Sequence, residues 1–345
     1  MTTSPAGRRA NRTARGPGDP IRRFAPPRLL RPALVQTLLA SRLVRGRGRA
    51  GRALLDAART IELDAAGTRV TAVVNERRGG RLIVIVPGWL GKADTPYVRR
   101  AAAVLHDAGF SVARLLLRSG APSPDLPPSM FASAGLEEVV AATDRLVRRF
   151  GARSAGLLGY SLGGNLVLRA AAHRERAPEL RACLAVCPLV DVAPVVDALD
   201  RGPRWVRGYV LRKWRRALAT TAGDANADGL ADVGTIGELC ERLVRRSTGR
   251  GDARDALARY RLHRETLAAL PAATQIVATL DDPVIPVESI RSLVGDGPPE
   301  LVVTSHGGHC GFIEDFRLRA AIDRHVERFF SSRLAPDAGG GSGGP

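Results

Sequence analysis

A candidate nucleophile stands at Ser161, inside the pattern G-x-S-x-G formed by residues 159–163. The apolar run SAGLLGY ends just before it, and LGGNLVLRAAAH, which has helical spacing, follows it. This arrangement is typical of a strand that turns sharply into a helix, where small flanking residues leave the serine hydroxyl accessible. Such a hydroxyl attacks a carbonyl carbon once a base takes its proton. The pattern therefore predicts acyl-transfer chemistry at Ser161.

The base that this serine needs is predicted at His309. Histidine is the side chain whose pKa suits proton transfer near neutral pH. His309 lies in the glycine-rich segment HGGHCGF at 306–312, directly after the apolar run ELVVTS, where a loop has the freedom to swing an imidazole toward the serine. His306, in the same segment, is the alternative.

The acid that orients the imidazole is expected at the end of the preceding strand. The run TQIVATL leads directly into Asp281 and Asp282, so two candidates stand side by side. Neighbouring residues at a strand end point in opposite directions, so only one carboxylate faces the histidine. The order along the chain is then Ser, Asp, His, as a nucleophile elbow of this kind requires.

Two backbone amides are needed to stabilise the oxyanion that forms during acyl transfer. One is predicted at Leu162, which follows the serine, and the other at Trp89, in the turn PGWLG that follows the run RLIVIV. The indole of Trp89 is either a core filler or a wall of the acyl pocket, and both interpretations stay open.

These residues must be positioned by the strands and helices that the hydrophobic pattern predicts. Two strands, TIELDA and VTAVVNE, come first, and then apolar runs alternate with helical stretches at 97–108, 135–149, 162–174 and 316–330. Strands too apolar to face water indicate a mostly parallel sheet with helices on both faces, which is an α/β fold. Residues of about 189–270 interrupt the alternation, and we interpret them as a helical cap insertion.

The predicted domain spans 28–333, between a disordered basic arm at 1–27 and a flexible Gly/Ser tail at 334–345. The formal charge of +18 is concentrated near the beginning, because residues 1–60 hold fourteen Arg against two Asp. The arm is interpreted as a solvated tail, with contact to an anionic membrane surface as the alternative and no specific nucleic acid expected. A helix at 29–44 is predicted to bury Leu30, Leu34 and Leu38.

Composition places the chain among water-soluble globular proteins. No apolar run approaches a membrane span, and no signal-peptide core follows the first residues, so a cytoplasmic location is expected. The four cysteines lack the paired spacing of zinc sites, and we expect buried free thiols and no metal.

The chain resembles the YheT-like branch of the α/β-hydrolases over residues 24–330. The resemblance rests on FAPPRLLRPALVQTL from residue 24, Pro-Tyr-Val at 96–98, GYSLGGN at 159–165, DDP at 281–283 and GGHCGF at 307–312. It implies an α/β-hydrolase fold, hydrolysis of a small-molecule carboxylic ester, with acyl or lipid-like substrates, and no metal or organic cofactor. It also favours Asp282 as the acid, four residues before Pro286. In the turn PGWLG, this chain has Pro87 where its YheT-like relatives usually have His.

Two other functions remain open. A thioesterase or acyltransferase of the same fold would differ only in the leaving group or acceptor. A protein of another class would be non-catalytic and would bind anionic lipid or RNA through its basic arm. The complete set of Ser161, Asp282 and His309 argues against the second, because a scaffold without catalysis has no need of all three.

Overall fold

The computed structural model describes residues 19–42, 54, 57–89, 91–116, 135–221, 232–248, 257–258, 260–295 and 297–334. Residues 1–18 of the predicted arm and residues 335–345 of the predicted tail lie outside this part of the chain. Among the described residues, no helix is both long and apolar enough to cross a membrane.

One sheet of eight strands forms the centre of the fold. The strands are β1 (Arg59–Ala65), β2 (Thr68–Asn75), β3 (Arg81–Val86), β4 (Ser111–Leu116), β5 (Ser154–Tyr160), β6 (Leu180–Val186), β7 (Ala273–Thr279) and β8 (Glu300–Thr304). They lie in the order β1-β2-β4-β3-β5-β6-β7-β8. Strand β2 is antiparallel to both of its neighbours, and every other neighbouring pair is parallel. The predicted mostly parallel sheet is confirmed.

Helices precede, connect and follow the strands. They are α1 (Ala33–Arg42), α2 (Pro96–Asp107), α3 (Leu136–Phe150), α4 (Leu162–Ala172), α5 (Val192–Arg201), α6 (Arg204–Thr221), α7 (Ile236–Thr248), α8 (Arg264–Ala268), α9 (Val287–Arg291) and α10 (Ala321–Arg333). Helices α5 to α8 all lie between β6 and β7, in the segment for which a helical insertion was predicted.

The sheet is covered on both faces because its central strands carry buried apolar residues on both of their sides. In β3, Val84 belongs to one buried cluster and Ile85 to the other, since successive side chains of a strand point to opposite faces. The first cluster includes residues of α3 and α4, and the second includes residues of α2 and α10. The prediction of helices on both faces is confirmed.

The last helix begins later than its predicted start at residue 316. Phe316 is exposed, and the carboxylate of Asp315 accepts the backbone N–H groups of Arg317 and Arg319, which holds these residues in a turn. An isolated bridge between Ile313 and Ala320 closes this turn, so α10 begins at Ala321. A local hydrogen-bonding aspartate thus competes successfully with helical propensity.

Residues 19–27 do not belong to a disordered arm, which corrects the boundary predicted at residue 27. Ile21 is completely buried and Phe24 is nearly so. Asp19 accepts a hydrogen bond from His325 of α10 at 2.8 Å. Two apolar side chains and this hydrogen bond hold the segment against the domain, although its sequence has no periodic pattern.

The prediction of the buried face is correct for Leu30, which is buried, and in part for Leu34, which is partly buried, but wrong for Leu38. Leu38 is among the exposed apolar residues, whereas Gln36 is completely buried. The amide of Gln36 donates to the carbonyl groups of Leu30 and Ile313 and accepts the N–H of Ile313. A polar side chain is buried here because all its hydrogen-bonding groups have partners.

All four cysteines are buried free thiols, as predicted.

Candidate active site

Ser161 lies at the sharp junction between β5 and α4. Its φ of +55° is rare for a residue other than glycine and indicates local strain of about 1–3 kcal/mol. A Cβ at Gly159 would lie 2.3 Å from the carbonyl oxygen of Gly163, and one at Gly163 would lie 2.2 Å from that of Val86. Both glycines are therefore required by close backbone contacts, which explains the pattern around the serine.

A chain of hydrogen bonds links Ser161, His309 and Asp282. His309 Nε2 lies 2.9 Å from Ser161 Oγ, and His309 Nδ1 lies 2.9 Å from Asp282 Oδ2. The side chain of Asp282 is only 2% exposed, so its charge is shielded from solvent. The structure brings His309, and not the alternative His306, to the serine.

The two neighbouring aspartates have separate partners. Asp282 Oδ1 accepts the backbone N–H groups of Val284 and Ile285, which fixes the carboxylate while Oδ2 faces the imidazole. Asp281 Oδ1 accepts the N–H of Gly308 at 2.9 Å, which ties the histidine loop to the end of β7.

Helix α1 supports the histidine loop from the other side. The backbone N–H of His309 donates to Thr37 Oγ1 at 2.9 Å. A Cβ at Gly308 would lie 2.2 Å from the carbonyl oxygen of Ala33, so the helix and the loop are in direct contact. Gln36 holds Ile313 beyond the histidine. The sequence interpretation missed both Thr37 and Gln36, because nothing in the pattern of the helix marks them.

The turn after β3 runs beside Ser161. A Cβ at Gly88 would lie 3.3 Å from Ser161 Cβ, and the Gly88 N–H donates to Tyr97 Oη at 3.2 Å. Trp89 follows and is half-buried, with its ring 4.2 Å from that of Trp214 in α6. Leu162 is the first residue of α4, where an amide has no carbonyl partner within the helix. Leu162 directly follows the serine and Trp89 directly follows Gly88, so both predicted oxyanion residues lie on the elements expected for them.

Residues 81–316 match the family described as the α/β hydrolase fold. The chain belongs to the α/β-hydrolase fold family. Within it, the chain is YheT-like: YheT of Escherichia coli (strain K12), named as a putative esterase, is 25% identical over 263 residues, which cover 74% of this chain and 75% of YheT.

Solved structures with the same fold include three bacterial and archaeal hydrolases. Serine hydrolase CCSP0084 from Cycloclasticus zankles has a TM-score of 0.55 at 15% identity and covers 81% of this chain and 99% of its own. Esterase Pf2001 of Pyrococcus furiosus has a TM-score of 0.54 at 11% identity, and the match covers 81% of this chain and 91% of Pf2001. Est1E from Butyrivibrio proteoclasticus has a TM-score of 0.51 at 15% identity, and the match covers 80% of this chain and 99% of Est1E. At these identities the likeness concerns the fold alone.

The environment of His309 in this α/β-hydrolase changes its basicity. Burial by itself lowers the pKa of the imidazole, but the electrostatic interactions with Asp282 and Cys310 and the hydrogen bond that the imidazole donates to Asp282 act in the opposite direction. The charge of Lys213 lowers the pKa again. The net result is a pKa of about 9 for His309, which makes it a stronger base than a free histidine.

One cluster of metal-ligating groups adjoins the site. Cys187, His309 and Cys310 bring one ligand atom each within 4.8 Å of one another. Both nitrogens of His309, however, are hydrogen-bonded to Ser161 and Asp282. A metal bound by these three residues would break that hydrogen-bonded chain, so this donor set does not fit a resident metal.

Proposed function

We propose that this α/β-hydrolase is a serine esterase that cleaves carboxylic esters through an acyl-enzyme. The observation that carries the proposal is the hydrogen-bonded chain from Ser161 through His309 to Asp282 at a strained strand-to-helix junction. Membership in the family and the likeness to YheT support it.

In the proposed reaction, Ser161 Oγ attacks the ester carbonyl carbon while His309 Nε2 takes the hydroxyl proton. The carbonyl oxygen becomes an oxyanion, which the amides of Leu162 and Trp89 stabilise. When the tetrahedral intermediate collapses, the carbon–oxygen bond of the ester breaks and His309 gives its proton to the leaving alcohol. Asp282 stabilises the imidazolium throughout.

Water completes the cycle. His309 takes a proton from a water molecule, the resulting hydroxide attacks the acyl carbon, and the proton returns to Ser161 as the carboxylic acid leaves. A thioester substrate or a different acceptor would use the same acyl-enzyme. Thiol release from a thioester, compared with alcohol release from the matching ester, distinguishes a thioesterase, and transfer of the acyl group to an added alcohol distinguishes an acyltransferase.

The helices between β6 and β7 act in this proposal as a cap over the site, within a domain that ends near residue 333. The contact between Trp89 and Trp214 supports this arrangement, because it joins the oxyanion turn to α6. It also favours the indole of Trp89 as a wall of the substrate site. The cytoplasmic location and the membrane contact of the arm remain predictions.

A fluorophosphonate probe tests the nucleophile. We expect mass spectrometry to find the probe on Ser161 and on no other serine, with no labelling of the Ser161→Ala variant. Ser292→Ala removes an exposed hydroxyl elsewhere and serves as the control, with unchanged labelling and ester turnover. Labelling at another residue, or turnover that survives Ser161→Ala, would contradict the proposal.

A further inference from the structure

A basic cleft opens beside the proposed oxyanion turn. It has a volume of about 660 Å³ and lies between the turn that carries Trp89 and helix α6. Its cationic lining consists of Lys92, Arg212, Lys213 and Arg216. Trp89 itself lines the cleft, and it directly follows Gly88, whose backbone lies beside Ser161.

Three of the four cations come from one face of α6. Tyr209, Arg212, Lys213 and Arg216 have the spacing i, i+3, i+4 and i+7, which places them along one side of a helix. The opposite side, with Leu211 and Trp214, is buried against the domain. Packing of the apolar side therefore directs the charged side toward the cleft.

Within the described part of the chain, positive charge exceeds negative charge in the lining of this cleft. Among the described residues, none of the four cations has a carboxylate within ion-pair distance, whereas many surface arginines of this chain do. The single acidic residue in the lining, Asp94, interacts electrostatically with the buried Arg114. Arg212 and Arg216 are one helical turn apart and repel each other. An anionic group in the cleft would relieve this repulsion.

The positions of the two lysines also indicate that this cleft is special. Arginine is the basic residue of choice throughout this chain, and Lys92 and Lys213 are its two lysines. They are far apart in sequence and both line this cleft. Lys213 lies near enough to the proposed base for its charge to act on His309. A generally basic surface does not explain why both lysines of an arginine-rich chain line the same cleft beside the active site.

We propose that this cleft binds a carboxylate or phosphate group of the substrate, so that the enzyme prefers esters with an anionic substituent on the acyl or the alcohol side. The inference rests on the proposed esterase function. The cations would hold the anionic group while Trp89 and Leu162 receive the carbonyl oxygen, and selectivity would come from electrostatic attraction rather than from an apolar pocket.

Two matched pairs of esters test this preference. Mono-p-nitrophenyl glutarate and p-nitrophenyl hexanoate differ in charge on the acyl side, and p-butyryloxybenzoate and p-butyryloxybenzamide differ on the alcohol side. For at least one pair, we expect the ratio of kcat/KM, anionic over neutral, to fall roughly tenfold in Arg212→Gln/Arg216→Gln and in Lys92→Gln/Lys213→Gln, at several-fold per cation. The effect should shrink as salt is added.

Two variants control for net charge and for shape. Arg201→Gln/Arg204→Gln removes the same number of charges from residues that do not line the cleft and should leave the ratio unchanged. Arg212→Lys/Arg216→Lys keeps the charges and should retain most of the preference. Equal ratios in the wild type and both glutamine variants, or the same fall in the Arg201→Gln/Arg204→Gln control, would overturn the proposal. So would weaker binding to anionic vesicles with no change in the ratio.

A binding measurement separates this proposal from the esterase proposal. The amide analogue of each anionic ester is not expected to turn over, and its binding is followed through the fluorescence of Trp89 and Trp214. We expect several-fold weaker binding in both glutamine variants and unchanged binding in Ser161→Ala. If no ester is turned over but this pattern holds, the esterase proposal fails and the anion site stands. If turnover depends on Ser161 but the amide analogues bind equally well to the wild type and to both glutamine variants, the anion-site proposal is wrong.

Discussion

Thr37 accepts the backbone N–H of His309 at 2.9 Å across 272 residues of sequence. The hydroxyl of Thr37 also donates to the carbonyl of Ala33, so it is held in place by its own helix. A segment that precedes the sheet therefore positions the loop that carries the proposed base. Asp281 holds the same loop from the end of β7 through Gly308.

Replacing Thr37 with Val keeps the shape of the side chain and removes the acceptor. We expect kcat to fall roughly 10-fold to 100-fold with little change in KM, because a small displacement of the base slows proton transfer more than it weakens binding. Thr37→Ser should restore most of kcat. Steady-state kinetics on a p-nitrophenyl ester measures both constants, and Thr68→Val, far from the site, is the control. A Val variant with normal kcat would exclude a positioning role.

The sequence predicts those features that depend on neighbours along the chain. The strands, the elbow at Ser161 and the glycine-rich segment around His309 each have a local pattern, and the structure has each of them where it was expected. The contact of Thr37 with His309 has no such pattern, since it depends on how α1 packs against a distant loop. For the same reason, the helical spacing of the leucines predicted the burial of Leu30 correctly but missed Gln36, which is buried and hydrogen-bonded to Ile313 while Leu38 remains exposed.

The choice between the aspartates was open in the sequence because adjacent carboxylates at a strand end look alike. Their hydrogen bonds now differ, and Asn substitutions test the difference. Asp282→Asn should lower kcat by about 10⁴-fold, because an amide cannot stabilise the imidazolium. Its melting temperature should change little, since the remaining oxygen still accepts the amides of Val284 and Ile285.

Asp281→Asn is the matched variant. It should keep most of kcat and mainly lower the melting temperature, because the charge-assisted bond to Gly308 becomes a neutral one. Thermal unfolding and steady-state kinetics on both proteins give the comparison. The reverse pattern would transfer the role of the acid to Asp281.

The raised pKa of His309 predicts an alkaline pH profile. A general base acts only when unprotonated, so kcat/KM should rise with pH up to about 9. Asp282→Asn should move the inflection to lower pH, since it removes the main stabilising charge of the imidazolium. Rates are corrected for spontaneous ester hydrolysis. An inflection of the wild-type profile below neutral pH would contradict the raised pKa of His309.

The same pKa links protonation to stability. A pKa that is higher in the folded protein than the ordinary 6.5 contributes stability that is complete below pH 6.5 and lost as the pH rises toward about 9. His309→Gln should therefore lose less stability than the wild type over this pH range. Urea unfolding at a series of pH values measures the effect, and His263→Gln, an exposed histidine, is the control.

Two truncations test where the N-terminal arm ends. Deleting residues 1–18 should leave the melting temperature and ester turnover largely unchanged, because that stretch has no pattern for packing. Deleting residues 1–24 also removes the buried Ile21, the hydrogen bond of Asp19 with His325, and Phe24. Loss of one buried aliphatic side chain alone costs about 2–5 kcal/mol, so a much lower melting temperature is expected.

The longer deletion should affect turnover as well as stability. Phe24 packs against Phe312, with ring centroids 5.9 Å apart, and Phe312 lies three residues after His309. Without this contact the histidine loop loses part of its support, so kcat should fall even well below the melting temperature. Phe24→Leu, which keeps an apolar side chain, should show an intermediate loss. If the 1–24 deletion keeps both wild-type values, this packing is dispensable, and if the 1–18 deletion loses turnover, the arm itself contributes to the site.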